Sequence, residues 1–323
     1  MILVLFPNML IGLLASIKPL FVMKQPVLMA KSLMIFITNT SIWLIMFTEF
    51  FSALTEFQFL QYALIAGCLA SLGCGVLGVY VVIKRLSFLS GGIAHAVLGG
   101  MGVAVFYDYS AFYGALISAI IAALLIGWIS LHKKENEDTL ISAVWAIGMA
   151  IGLLFISAKS GYRIDLNAYL FGNILIIGKQ DLILIAILDI FLILSVILFY
   201  QPFLAMSFDE EFARIRGLPT TFLYLFLLVL VAISVVLLIR VVGLILVIIL
   251  LTLPAAIAGQ YCYMIGKMMV IASLLGMIFC SSGIALSYQP NLPAGAVIVL
   301  ITGIAYLTST LVILPLVEKL KRI

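Results

Sequence analysis

The chain has 323 residues, 66% of them hydrophobic and only 9% charged, with a formal net charge of +4. Soluble domains carry about 25% charged residues, so this chain lacks the side chains to cover a water-facing globule and reads as a polytopic membrane protein. The small, scattered positive excess excludes a nucleic-acid interface; membrane lipid is the expected surrounding.

Residues 1–57 form an apolar leader. A first run at 1–17 is interrupted by Pro7 and Asn8, Lys18, Lys24 and Lys31 follow, and a second run covers 32–51. A signal peptide carries its charges before its apolar run, and here they come after it. Two readings stay open: one or two extra membrane helices, or a translation start at Met46. From 58 to 323 the chain reads as one transmembrane domain. Apolar stretches predict helices at 59–83, 86–106, 110–131, 140–158, 174–200, 220–240, 242–258, 266–287 and 293–316, each long enough to cross a bilayer. The expected fold is therefore all-α, a polytopic helical bundle of about nine core helices plus the N-terminal additions.

Charge sets the orientation. With the Lys84-Arg85 turn in the cytoplasm and the helices alternating, thirteen Lys and Arg fall inside: Lys18, Lys24, Lys31, Lys84, Arg85, Lys133, Lys134, Arg214, Arg216, Lys267, Lys319, Lys321 and Arg322. Only Lys159, Arg163, Lys179 and Arg240 fall outside. This is the positive-inside pattern, and it predicts a cytoplasmic C-terminus.

The stretch KRLSFLSGGIAHAVLGGMG at 84–102 holds one of the two histidines. Ser87, Gly91, His95, Gly99 and Gly102 recur at spacings of three and four, which puts them on one helix face. At ~1.5 Å per residue from Leu86, His95 lies roughly 14 Å into the span, near the middle of a ~30 Å hydrocarbon layer. An ionisable ring at that depth is either functional or a neutral histidine bonded to a neighbouring helix. Asp189, deep in ILIAILDIFLILSVILFY, poses the same choice between a translocation path and a packing acid. The other histidine, His132, belongs to the mixed-charge loop 132–139 and reads as solvated. The segment 159–173, with an exposed Arg163–Asp165 pair, is semi-polar and expected to lie along the surface or partly re-enter.

The segment QPFLAMSFDEEFARIRGLP at 201–219 is the longest polar interruption. Ser207 or Asp209 is suited to cap a short helix with Glu210 and Glu211 in its first turn. Arg214 and Arg216 lie toward its other end, and Gly217 then Pro219 stop it. Phe208, Phe212 and Ile215 form an apolar face that needs cover, from the membrane interface, the protein itself or a cytoplasmic partner. Further on, Pro254 removes one hydrogen bond from its helix. Cys68, Cys74, Cys262 and Cys280 contain no CxxC pair and read as small core residues.

Three stretches, KRLSFLSGGIAHAVLGG at 84–100, SFDEEFARIRGLP at 207–219 and VVGLILVIILLTLPAAIA at 241–258, together resemble the permease subunit of the divalent-metal ABC transporters, the zinc and manganese uptake family. The resemblance covers roughly 59–316. It implies a permease in the cytoplasmic membrane of a bacterium or archaeon, paired with a second copy of itself. It also implies cytoplasmic ABC ATPase subunits and an extracytoplasmic metal-binding protein as partners. No permanently bound cofactor is implied, and the transported ion is zinc or manganese, with iron as a further alternative. No GxxxxGK[ST] phosphate loop is present, and the resemblance places ATP hydrolysis on the separate subunit.

By the same resemblance, Asp209, Glu210, Glu211, Phe212, Ala213, Arg214 and Gly217 belong to the coupling helix, near 207–217, that sits on the ATPase. His95 becomes a metal ligand, and Ser87, Gly91, Gly99, Gly102 and Pro254 shape the helix packing around the path. Many members carry an Asp four residues before the histidine; Gly91 stands there in this chain. Two His95 rings then supply two ligands where zinc prefers four, with water, backbone carbonyls or Asp189 as candidates for the rest. Two rivals remain: an ABC permease for a bulky metal chelate, and an ion-coupled secondary transporter in which Asp189 and His95 relay protons. A membrane enzyme lacks support, since no HExxH or clustered acid–histidine motif is present.

Overall fold

The computed structural model describes residues 50, 52–132, 137–159, 177–288, 290 and 292–316. The expectations for the leader, the Arg163–Asp165 pair, the charged loop 133–136 and the C-terminal lysines fall outside these residues, as does the side chain of Arg240.

In chain order the helices are α1 (Gln58–Ile83), α2 (Ser87–Phe106), α3 (Ala111–His132), α4 (Glu137–Ala158), α5 (Lys179–Leu198), α6 (Tyr200–Phe208), α7 (Glu210–Ile215), α8 (Thr220–Val242), α9 (Leu244–Tyr261), α10 (Ile265–Tyr288) and α11 (Ala294–Thr308). A wide π-type turn, Ser309–Ile313, continues α11. Among the described residues nine helices are long and apolar enough to cross a membrane, and no strand occurs. The fold is an all-α polytopic bundle.

Helix α1 is the hub, packing on α5, α9 and α10. Between helices in lipid there is no hydrophobic drive to associate, so close approach over small residues supplies the packing energy. Along α1, Gly75 sits so near α10 that an added Cβ would lie 2.2 Å from Ser273 Oγ. At Gly78 it would lie 2.0 Å from the Leu251 carbonyl of α9. Ser71 Oγ donates to Gly67 O, 2.6 Å away, and lies 3.4 Å from Cys280 Sγ across the same seam. Cys74 and Cys280 are buried, and all four cysteines are free thiols. Pro254 is buried inside α9, one turn beyond Leu250. Gly243, at φ 84, makes the whole connection between α8 and α9, a conformation that glycine adopts without strain.

One boundary differs from expectation. The polar segment after α5 holds the short helix expected near 207–217, as α7 with six residues, and it is preceded by an unexpected second helix, α6, at 200–208. Pro202 lies in the first turn of α6, where its missing N–H costs nothing. Phe203 and Met206, three apart, both bury fully, and Phe203 meets Tyr80 of α1 edge-on at 5.5 Å. Asp209, with φ −148, breaks the helix, so Ser207 lies inside α6 and the cap is Asp209.

Side-chain ties mark the two ends of the bundle. Lys84, in the α1–α2 turn, pairs with Glu210 of α7. At the opposite end Lys159, just past α4, donates to the Val105 carbonyl and pairs with Asp108 in the α2–α3 turn.

Candidate functional site

His95 is half-buried on α2 and is held from two sides. Its Nδ1 lies 2.8 Å from the Gly91 carbonyl one turn back. A carbonyl only accepts, so Nδ1 carries the hydrogen and Nε2 of the neutral ring keeps its lone pair. Nε2 has no hydrogen-bond partner among the described residues. The ring lies against Trp145 of α4, with centroids 4.1 Å apart and planes at 30°. The Trp145 indole N–H in turn points to Met149 Sδ at 3.0 Å. A backbone carbonyl fixes the tautomer and an indole fixes the ring plane. The result is a preset imidazole donor, the arrangement seen where histidine ligates a metal.

The approach of α4 to α2 that places Trp145 there is made by glycines. A Cβ added at Gly99 would lie 2.7 Å from Gly148 O, and one at Gly102 would lie 2.5 Å from Gly152 O. On the other flank, a Cβ at Gly100 would lie 2.2 Å from the Gly114 carbonyl of α3. Gly91 differs: a Cβ there would meet only Ile248 Cδ1, at an ordinary 3.7 Å. Of the expected small-residue face, Gly99 and Gly102 meet another backbone, and Gly91 does not. Ser87 opens α2 and its carbonyl accepts from Ser90 Oγ at 2.8 Å.

A cavity of about 680 Å³ lies between α2, α3 and α4. Its walls are almost wholly apolar, with Ile117, Ile121 and Ile151 facing Gly99 and Gly148, and His95 does not line it.

Asp189 is placed elsewhere. It lies on α5, 7% exposed, facing Gly73 of α1, where an added Cβ would come 2.3 Å from its Oδ1. Its Oδ2 has no hydrogen-bond partner among the described residues. His95 faces α4 and Asp189 faces α1, so the structure does not bring the two into one site. Among the described residues no three His, Cys, Asp or Glu side chains group as a metal site.

Helix α7 is built as its residue types require. Asp209 Oδ1 accepts from the Phe212 N–H at 2.9 Å, and Glu210 and Glu211 occupy the first turn beside the positive helix end. Arg214 lies 3.7 Å from Glu210, and the Arg216 guanidinium sits 4.8 Å over the Phe212 ring. Gly217, at φ 80, ends the helix, donating to Arg214 O while Leu218 donates to Ala213 O. Ala213 is buried, whereas Phe208, Phe212 and Ile215 are exposed, Ile215 by 85%.

Three residues and one pairing in these arrangements were not singled out in the sequence. Trp145, Gly148 and Gly152 repeat the three- and four-residue spacing of the α2 face, the one signal that pointed to them. The pairing of Lys84 with Glu210 left no trace in either local stretch.

Residues 56–313 match the model of the ABC 3 transport family. The chain is 46% identical over 254 residues to an uncharacterized membrane protein of Synechocystis sp., covering 79% of this chain and 90% of that one. It is 36% identical over 258 residues to the manganese transport system membrane protein MntC of Listeria monocytogenes, covering 80% and 91%. Among solved structures it resembles PsaBC from Streptococcus pneumoniae in complex with Fab, at a TM-score of 0.73 and 31% identity, covering 81% of this chain and 95% of that one. With all its described membrane spans and α7 falling largely within one continuous match, the chain belongs to the ABC 3 transport family.

Proposed function

We propose that this chain is the membrane subunit of an ATP-driven importer for a divalent transition metal ion, manganese or zinc. The observation that carries the reading is the preset Nε2 of His95, half-buried near mid-span on α2 with its other nitrogen committed to Gly91 O. The manganese transport protein of Listeria monocytogenes supports the choice of cargo.

Two copies stand side by side in the cytoplasmic membrane, and each contributes one imidazole at the same depth. An extracytoplasmic binding protein delivers the ion to them. Two nitrogens, completed by water or backbone carbonyls, make an incomplete coordination shell, which suits a conduit because a transported ion must leave again. Asp189, facing α1, takes no part in that shell. Cytoplasmic ATPase subunits receive α7, whose exposed Phe212 and Ile215 dock on them. Closure on ATP moves α7, and Lys84 passes that motion to the start of α2. The excess of Lys and Arg at the α7 end supports a cytoplasmic location for that end and for the C-terminus.

The test is uptake of radiolabelled manganese or zinc by membranes holding the whole transporter. His95→Ala abolishes uptake while the ATPase still co-purifies; unchanged uptake refutes the ligand role.

A further inference from the structure

The α7 end of the bundle carries a second apolar feature. The turn between α9 and α10 exposes Tyr263 by 92% and Met264 by 62%. Two hollows of about 440 and 430 Å³ flank this turn, and Phe208, Tyr263, Met264 and Ile265 line both of them. Phe208 is the last residue of α6, immediately before the Asp209 cap of α7. The turn and α7 thus belong to one continuous surface joined by Phe208. The floor of the larger hollow includes Gln260, whose side chain is held by Ser309 and Thr310 of the π-type turn. This surface is backed by hydrogen bonds and is not a loose flap.

Size decides what covers it. A stable protein interface uses roughly 20–30 residues a side. Helix α7 has six residues and three exposed apolar side chains on or beside it, which falls far short. The rest of the footprint must come from turns at the same end. The α1–α2 turn offers Lys84, already paired, and the exposed Arg85. The α9–α10 turn offers an aromatic ring and a thioether above a concave floor. Tyrosine is enriched among the side chains that carry interface energy, and methionine adapts to irregular partners. Tyr263 and Met264 border hollows shared with Phe208, which sits directly before α7.

We infer that the ATPase subunit docks on a composite surface, seating apolar side chains in the two hollows between Phe208 and Tyr263–Met264 as well as gripping α7. This rests on the reading that an ATPase docks at α7, and the experiment separates the two. A benzophenone amino acid replaces Tyr263 in one variant and Phe212 in another, each in the assembled transporter in native membranes, followed by irradiation. An adduct of permease plus ATPase mass from position 263 supports the inference. An adduct from 212 with only lipid or intramolecular products from 263 overturns it and leaves the α7 docking intact. Absence of ATPase adducts at both positions overturns both readings; an adduct from 263 alone also overturns the composite surface, because docking then bypasses α7. In a second measurement, Tyr263→Ala with Met264→Ala weakens ATPase retention about tenfold, with unchanged permease yield; full retention overturns the inference.

Discussion

The Lys84 ammonium lies 3.8 Å from the Glu210 carboxylate, tying the short helix α7 to the turn that leads into the helix carrying His95. Both side chains are partly shielded, 17% and 35% exposed, and Glu210 also lies 3.7 Å from Arg214. Ion pairs of this kind add about 0–1 kcal/mol to stability, so the value of this one lies in transmission. Lys84→Glu lowers metal-stimulated ATP hydrolysis several-fold with little change in thermal unfolding. The exchanged pair, Lys84→Glu with Glu210→Lys, recovers most of the loss. Hydrolysis rates and melting curves of the purified complex check this.

If His95 ligates the ion as proposed, Trp145 acts by holding the ring, so its variants rank below those of the histidine. Groups that orient a metal-ligating histidine typically cost 10–100-fold in affinity or activity when lost. Trp145→Phe keeps a ring against the imidazole and retains most uptake. Trp145→Ala loses roughly tenfold, mainly as a raised KM for the metal, on the same scale. Initial-rate uptake over a range of metal concentrations separates the KM effect from the turnover effect.

The glycines of α2 divide sharply. Gly102→Ala drives a Cβ to 2.5 Å from the Gly152 carbonyl, a contact that only backbone displacement relieves. Overpacking of this kind costs about 1–3 kcal/mol, and melting of the detergent-solubilised protein reports it. Gly91→Ala meets only Ile248 Cδ1 at 3.7 Å and leaves stability unchanged. Gly91→Asp adds its Cβ in the same ordinary contact and places a carboxylate one turn before His95. That addition shifts preference toward harder ions, read as better competition by manganese against zinc in uptake.

Asp209→Ala removes the acceptor for the Phe212 N–H and costs about 1 kcal/mol of helix stability. A six-residue helix has no reserve against that loss, because isolated helices so short are marginal in water. ATPase co-purification falls with the alanine variant and is restored by Asp209→Asn, which caps equally well.

Hydropathy alone located the membrane spans to within a few residues, since burial in lipid demands apolar side chains all along each helix. Helix α6 escaped because Gln201 and Pro202 break the apolar run that precedes them and read as its end, whereas in the fold Phe203 packs on Tyr80, 123 positions away in the chain. His95 was visible because an ionisable ring in an apolar run is conspicuous. Its partner Trp145 was not, because an aromatic residue in a membrane helix is ordinary until its neighbour is known. Gly91, Gly99 and Gly102 looked equivalent by spacing, yet only the latter two face glycines across the gap. Periodicity places residues on a face and leaves open what that face meets.

Where α2 and α4 touch through Gly99, Gly102, Gly148 and Gly152, main chain rests directly on main chain with no side chains between to act as bearings. Such a contact tolerates neither sliding nor rotation without collision. The expected consequence is that α2 and α4 travel as one piece when cargo crosses, the imidazole keeping its indole neighbour, and a disulfide placed across this seam should leave transport intact.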